Sequence, residues 1–131
     1  MEAFMINFNK DSVFNLKPIE ISEVRDEIGS FLIDGEEMLA AFKTIRDQVV
    51  FTNKRIISID VQGITGKRKS FATLPYSTIQ FFEVQTMGFI EIFPDNELFI
   101  QYANGFTAKF EFKGKVDICK IGKIISQYVL R

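Results

Sequence analysis

The stretch that most restricts what this chain can fold into is FTAKFEFK, residues 106–113. Phe106, Ala108, Phe110 and Phe112 alternate there with Thr107, Lys109, Glu111 and Lys113. Successive side chains of a strand point to opposite faces, so this spacing predicts a strand with one buried and one wet face. Just upstream, Leu98, Ile100 and Tyr102 alternate with Glu97, Phe99 and Gln101. A three-residue loop of Ala103, Asn104 and Gly105 puts both apolar sets on one face and gives Gly105 the left-handed position such loops favour. The pair reads as a hairpin.

The segment VVFTNKRIISID, residues 49–60, has the same look. Two apolar runs flank Asn53, Lys54 and Arg55. A three-residue connection at 53–55 sets Phe51 against Ile57 and Val49 against Ile59, collecting apolar residues on one face. A two-residue loop mixes the faces, so the longer one is preferred, because a slip by one residue inverts every side chain. MLAAFKTI and QVVFT form a hairpin or one bent strand. KRKSFATL and IQFFEVQT read as further strands, punctuated by Gly63, Gly66 and Pro75.

Helical spacing occurs on either side of these strands. In PIEISEVRDEIGSFL, Ile21, Val24, Ile28 and Phe31 or Leu32 recur at intervals of three and four, with Pro18 suited to a first turn. At the carboxy terminus, Val116, Ile118, Ile121, Ile125 and Tyr128 or Val129 form a second stripe, with Asp117 near its start. Residues 1–17 show no clear period and read as an arm, leaving 18–131 as the domain. The expected class is mainly β: about seven antiparallel strands curled into a small barrel or two-sheet sandwich, capped by a carboxy-terminal helix, with an extra amino-terminal helix.

Composition narrows the function. A chain of 131 residues is one domain in size. Sixteen basic and seventeen acidic residues leave a net charge of -1, without the basic excess of a nucleic-acid binder. The absence of histidine removes the commonest general base and metal ligand. The single cysteine, Cys119, has no internal partner and reads as a core or boundary thiol. Carboxylates at Asp34, Glu36 and Glu37, and at Asp95 and Glu97, fall on turn-like segments and read as solvated. GITGKRK lacks the spacing of a phosphate-binding loop. The expectation is no enzyme, no metal and no cofactor. With neither a signal peptide nor a run of about 18 apolar residues, a cytoplasmic location is expected.

The ordered motifs VFTNKRI at 50–56, QGITGK at 62–67 and PY followed by Ile79 resemble the bacterial pleckstrin-homology (PH) domain family, over about residues 19–130. Leu74 stands before Pro75 where an isoleucine is usual, and MGFIEIFPDNELFI is richer in phenylalanine than the pattern. The resemblance implies a PH-like barrel that stands alone as a bacterial protein and assembles into ring-shaped homo-oligomers. It implies no enzymatic activity and no established ligand.

Two candidate surfaces follow. Lys54 and Arg55, with Lys67, Arg68 and Lys69, are the basic concentrations, either an anion patch or solvated loop ends. Three such residues give only weak contact with an anionic membrane. The fifteen phenylalanines exceed what one buried sheet face needs. Phe82, Phe89, Phe93 and Phe99 are candidates for a homo-oligomer interface, the chain itself being the expected partner. A peripheral anionic-lipid or phosphoinositide module is the alternative. Capture of a protein or peptide at an exposed sheet edge is the third reading.

Overall fold

The computed structural model describes residues 15–86, 95–114 and 116–130. It holds eight antiparallel strands in two sheets, one more than the sequence suggests. Strands β1 (Lys17–Ile19), β2 (Met38–Lys43), β3 (Gln48–Thr52), β4 (Arg55–Gln62) and β5 (Arg68–Pro75) form one sheet in chain order. Strands β6 (Ile79–Thr86), β7 (Asp95–Tyr102) and β8 (Thr107–Lys113) form the other. Leu16, fully buried, joins them. Its N–H donates to the Glu111 carbonyl at 3.0 Å and its carbonyl accepts from Lys113 N–H at 2.9 Å, while the next residue, Lys17, already pairs with Lys43 of β2. Thus part of the expected arm belongs to the fold.

The inner core lies between the sheets. Leu16, Phe42, Phe51, Ile56, Leu98, Ile100, Phe110 and Phe112 meet there, with Phe42 edge-on to both Phe51 and Phe112 at centroid distances of 5.8 and 4.8 Å. The β7–β8 hairpin has the expected three-residue connection: Gln101 faces Thr107, Tyr102 N–H donates to the Phe106 carbonyl, and Gly105 has φ of +90°. Helix α2 (Ile118–Val129) covers the open end of the barrel, burying Ile118, Ile121, Ile124 and Ile125. Asp117 caps it, its carboxylate accepting from Lys120 N–H at 3.1 Å. A Cβ on Gly122 would meet Val84 of β6 at 3.6 Å, an ordinary van der Waals contact, which shows how closely the helix lies on β6.

The β3–β4 hairpin departs from expectation. Phe51 pairs with Ile56 and Val49 with Ser58, so the connection is the two residues Asn53 and Lys54. A three-residue connection is favoured only where one face is buried, yet every residue of β3 and Ile56 to Ile59 of β4 are buried. Val50, Ile57, Ile59 and Val61 face outward into a second core with Val24, Ile28 and Ala41.

That second core explains the broken helix. PIEISEVRDEIGSFL forms β1, a 3-10 turn at Ile21–Glu23 and one four-residue helix, α1 (Asp26–Gly29), in place of a continuous helix. Gln48 of β3 competes for the backbone: its side-chain oxygen accepts from Arg25 N–H at 2.9 Å and its amide donates to the Glu23 carbonyl at 3.4 Å. Arg25 is held extended at φ -58°, ψ 138°, which ends the turn and lets Val24 and Ile28 drop onto the sheet.

Candidate functional site

The five basic candidates are not one patch. Arg55 pairs with Pro75 at one end of β4, whereas Gln62 pairs with Arg68 at the other. Seven residue steps of strand separate the ends by roughly 23 Å. Arg55 is half-buried and engaged by Glu36, whose carboxylate accepts from Arg55 Nε at 2.9 Å and Nη2 at 3.0 Å. Thr52 Oγ1 donates to the same group at 2.7 Å and Ile33 N–H at 3.1 Å. Arg55 also donates to Thr73 Oγ1 at 3.0 Å and to the Phe31 carbonyl. Burial pushes the Glu36 carboxyl up, and the hydrogen bonds from Arg55 and Thr52 outweigh it, so the group titrates below the usual carboxylate range. Glu36 is therefore buried rather than solvated, and this network fastens the 31–36 segment to the sheet.

Lys69 bonds to Glu27 of α1 at 2.6 Å, holding the Glu27 carboxyl below its ordinary value. Lys54, Lys67 and Arg68 are exposed. Asp34 and Glu37 are exposed as expected, and Glu97 lies 3.5 Å from Lys109. Cys119 points away from the core into solvent, a position its place outside the helical stripe allows. Among the described residues there is no cluster of three or more metal-ligating side chains and no helix long and apolar enough to cross a membrane.

The tight turn between β2 and β3 is built by Thr44, whose N–H donates to the Asp47 carbonyl at 2.9 Å and whose hydroxyl accepts from Asp47 N–H at 3.0 Å. Asp47 itself turns inward, accepting from Val61 N–H at 2.8 Å. Burial raises its pKa, and the neighbouring Asp60 charge adds to the rise against the pull of Val61 N–H and Arg46. An open groove of about 960 Å³ lies beside this turn, lined by Lys17, Lys43, Arg46 and Lys113 as well as the two aspartates.

The aromatic candidates also divide. Phe89 and Phe93 lie outside the described residues. Phe82 faces Ile100 and packs half-buried against the inner core, so the strand alternation assigns it to the barrel interior and its neighbour Phe81 to the outside. Phe81 is 49% exposed and meets Phe99 edge-on at 6.2 Å on the outer face of the β6–β8 sheet. Glu83, Gln85, Glu97 and Lys109 surround Phe99 in a shallow depression there. Among the described residues β6 pairs only with β7, which leaves its other edge open. The alternation at Phe81 and Phe82 signals that one of them faces out but not which, because the register depends on a bulge between Ile79 and Phe81.

Comparison with known proteins agrees with this architecture. Residues 7–129 match the model of the bacterial PH domain family. The uncharacterized Bacillus subtilis (strain 168) protein YjqA is 36% identical over 112 residues, covering 86% of this chain and 90% of its own. A crystal structure of a DUF1696 family protein with a pleckstrin-homology domain from Shewanella loihica PV-4 superposes with a TM-score of 0.72 at 35% identity, covering 89% of this chain and 99% of the other. A pleckstrin homology domain from Shewanella amazonensis SB2B gives a TM-score of 0.64 at 36% identity, covering 86% and 90%. No catalytic activity is attached to the family model or to YjqA. The chain belongs to the bacterial PH domain family.

Proposed function

We propose that this PH domain is a non-enzymatic scaffold that associates with copies of itself through the outer face of the β6–β8 sheet, closing into a ring. The observation that carries the reading is the Phe81–Phe99 pair, Phe81 exposed and Phe99 half-buried, beside an edge of β6 that no other described strand pairs with. An aromatic pair in water is stabilised by covering it, and an open strand edge offers main-chain donors and acceptors that fix the orientation of whatever covers it. Glu83, Glu97 and Lys109 rim the pair, placing both charge signs around an apolar centre, which is the anatomy of a protein interface. The contact is between unlike surfaces of successive copies, and rotation that closes on itself buries every such surface.

Light scattering at micromolar concentration tests this. The wild type should give a particle several times the 15.1 kDa chain mass. Phe81→Glu and Phe99→Glu should each give monomers with an unchanged far-UV circular dichroism spectrum. A wild-type monomer ends the reading.

A further inference from the structure

A trough runs between helix α2 and the β1–β2 edge of the five-stranded sheet. At one end it is a depression of about 270 Å³, with Ile19, Ile21, Phe42, Val116 and Ile121 in its lining. At the other it widens to about 450 Å³ beside Cys119, Lys123 and Tyr128 of the helix. Leu39, Asp117 and Lys120 line both depressions, which makes them one continuous feature.

One bank of the trough offers main-chain groups as well as apolar surface. β1 pairs with β2 only at Ala41 to Lys43, because the chain leaves β1 at Ile19 and turns through Ile21–Glu23. Among the described residues no strand lies against Met38, Leu39 and Ala40 on that side. An extended segment laid here would find a strand edge and an apolar bed together.

The chain supplies such a segment. Residues 1–14 precede the described residues and include Phe4, Ile6, Phe8, Val13 and Phe14, with only Glu2, Lys10 and Asp11 as charged side chains. Apolar side chains in that proportion gain free energy from cover. Residues 7–129 match the family model, so half of the segment belongs with the domain. It enters the fold at Leu16, which is fully buried, bridges to Phe112 of β8 and stands two residues from Pro18 in the lining of the trough. Asn15, with φ of +62°, turns the chain just before that point. Fourteen extended residues reach roughly 46 Å, and a helix the length of α2 is roughly 18 Å long, so the segment can run the whole trough.

We infer that the trough along α2 is the seat of residues 1–14 of the same copy, their phenylalanines lying over Leu39 and Ile121 and their backbone along the edge of β2. A short tether holds such a segment at an effective concentration on the order of millimolar, which disfavours a foreign peptide or the arm of another copy. The trough shares no residue with the depression around Phe99, so this seat stands independently of self-association.

Cys119, the single cysteine, is exposed on the rim of the trough and gives a native attachment point in the full chain. Labelled there with a benzophenone maleimide and irradiated, the protein should form cross-links to residues 1–14 in a product of single-chain mass, located by peptide mass spectrometry. Phe4→Ser/Phe8→Ser should lower the cross-linked fraction by about 10-fold with an unchanged far-UV circular dichroism spectrum, from the loss of partial burial of two phenylalanines. Because the chain has no tryptophan, Phe8→Trp supplies a single indole, whose emission should be that of a covered ring. Cross-links that avoid residues 1–14, an undiminished fraction in the double variant, or the emission of a free indole overturns the inference. Cross-links to residues 1–14 found only at twice the chain mass also overturn it, by assigning the arm to another copy.

Discussion

The two sheets of this barrel are treated differently by the rest of the chain. The five-stranded sheet is covered twice, by the inner core on one side and by residues 19–33 on the other, where Val24, Ile28 and Leu32 meet Val50, Ile57 and Ile59. Among the described residues, the β6–β8 sheet has the inner core on one side only. Its outer face keeps Phe81, Glu83, Gln85, Glu97, Phe99 and Lys109 at the surface. Among the described residues one sheet is covered on both faces and the other on one.

Mutations can break the comparison, and the largest effect should come from the clasp that holds the cover in place. Arg55→Ala leaves the Glu36 carboxylate buried without its cation, which costs about 3–5 kcal/mol. Denaturant unfolding should record it, and a loss below about 1 kcal/mol would mean that the clasp is not stabilising. Ile28→Ala removes a fully buried side chain from the outer core and should cost about 2–4 kcal/mol. The corresponding change on the uncovered sheet, Phe99→Ala, should cost under about 1 kcal/mol in the isolated subunit while weakening assembly. If Phe99→Ala destabilised the monomer as much as Ile28→Ala, the two sheets would not differ in the way described.

Titration sharpens the same contrast. The Glu36 and Glu27 carboxyls titrate below their ordinary range, so the stability they supply is fully present above the usual carboxylate pKa and disappears as pH falls through their lowered values. The midpoint in urea should therefore fall on acidification, less steeply in Glu36→Gln. Asp47 has the opposite sign. Its raised pKa means that it penalises the folded state at neutral pH, and the penalty is relieved as pH falls through the raised value. Asp47→Asn keeps an oxygen for Val61 N–H and should raise stability slightly at pH 7, the smallest of these effects. A fall would show that the ionised group is needed there.

The β7–β8 hairpin was legible to the residue because its sheet buries one face, so alternation alone fixes the register of Leu98, Ile100, Phe110 and Phe112. The β3–β4 hairpin was not, because Val50 and Ile57 are as buried as Val49 and Ile56, and alternation then carries no preference. The 18–32 segment read as a helix because Val24 and Ile28 have helical spacing, but Gln48, 23 residues from Arg25, captures the backbone that the helix needed. Long-range competition of this kind leaves no local mark. The same holds for the candidate surfaces. Nothing near Glu36 distinguishes it from the exposed Glu37, and the bond from Arg46 to the Gly63 carbonyl joins two loops that have no local sign of meeting. What was legible there was the excess of phenylalanine, since Phe81 and Phe82 must face opposite ways in any strand.

The mass of the native particle at micromolar concentration is the most direct test of the idea that the uncovered sheet is covered by another copy. A closed assembly of several 15.1 kDa chains, reduced to single chains by Phe99→Glu with the fold intact, is the predicted result. A wild-type mass of one chain across that range would contradict it.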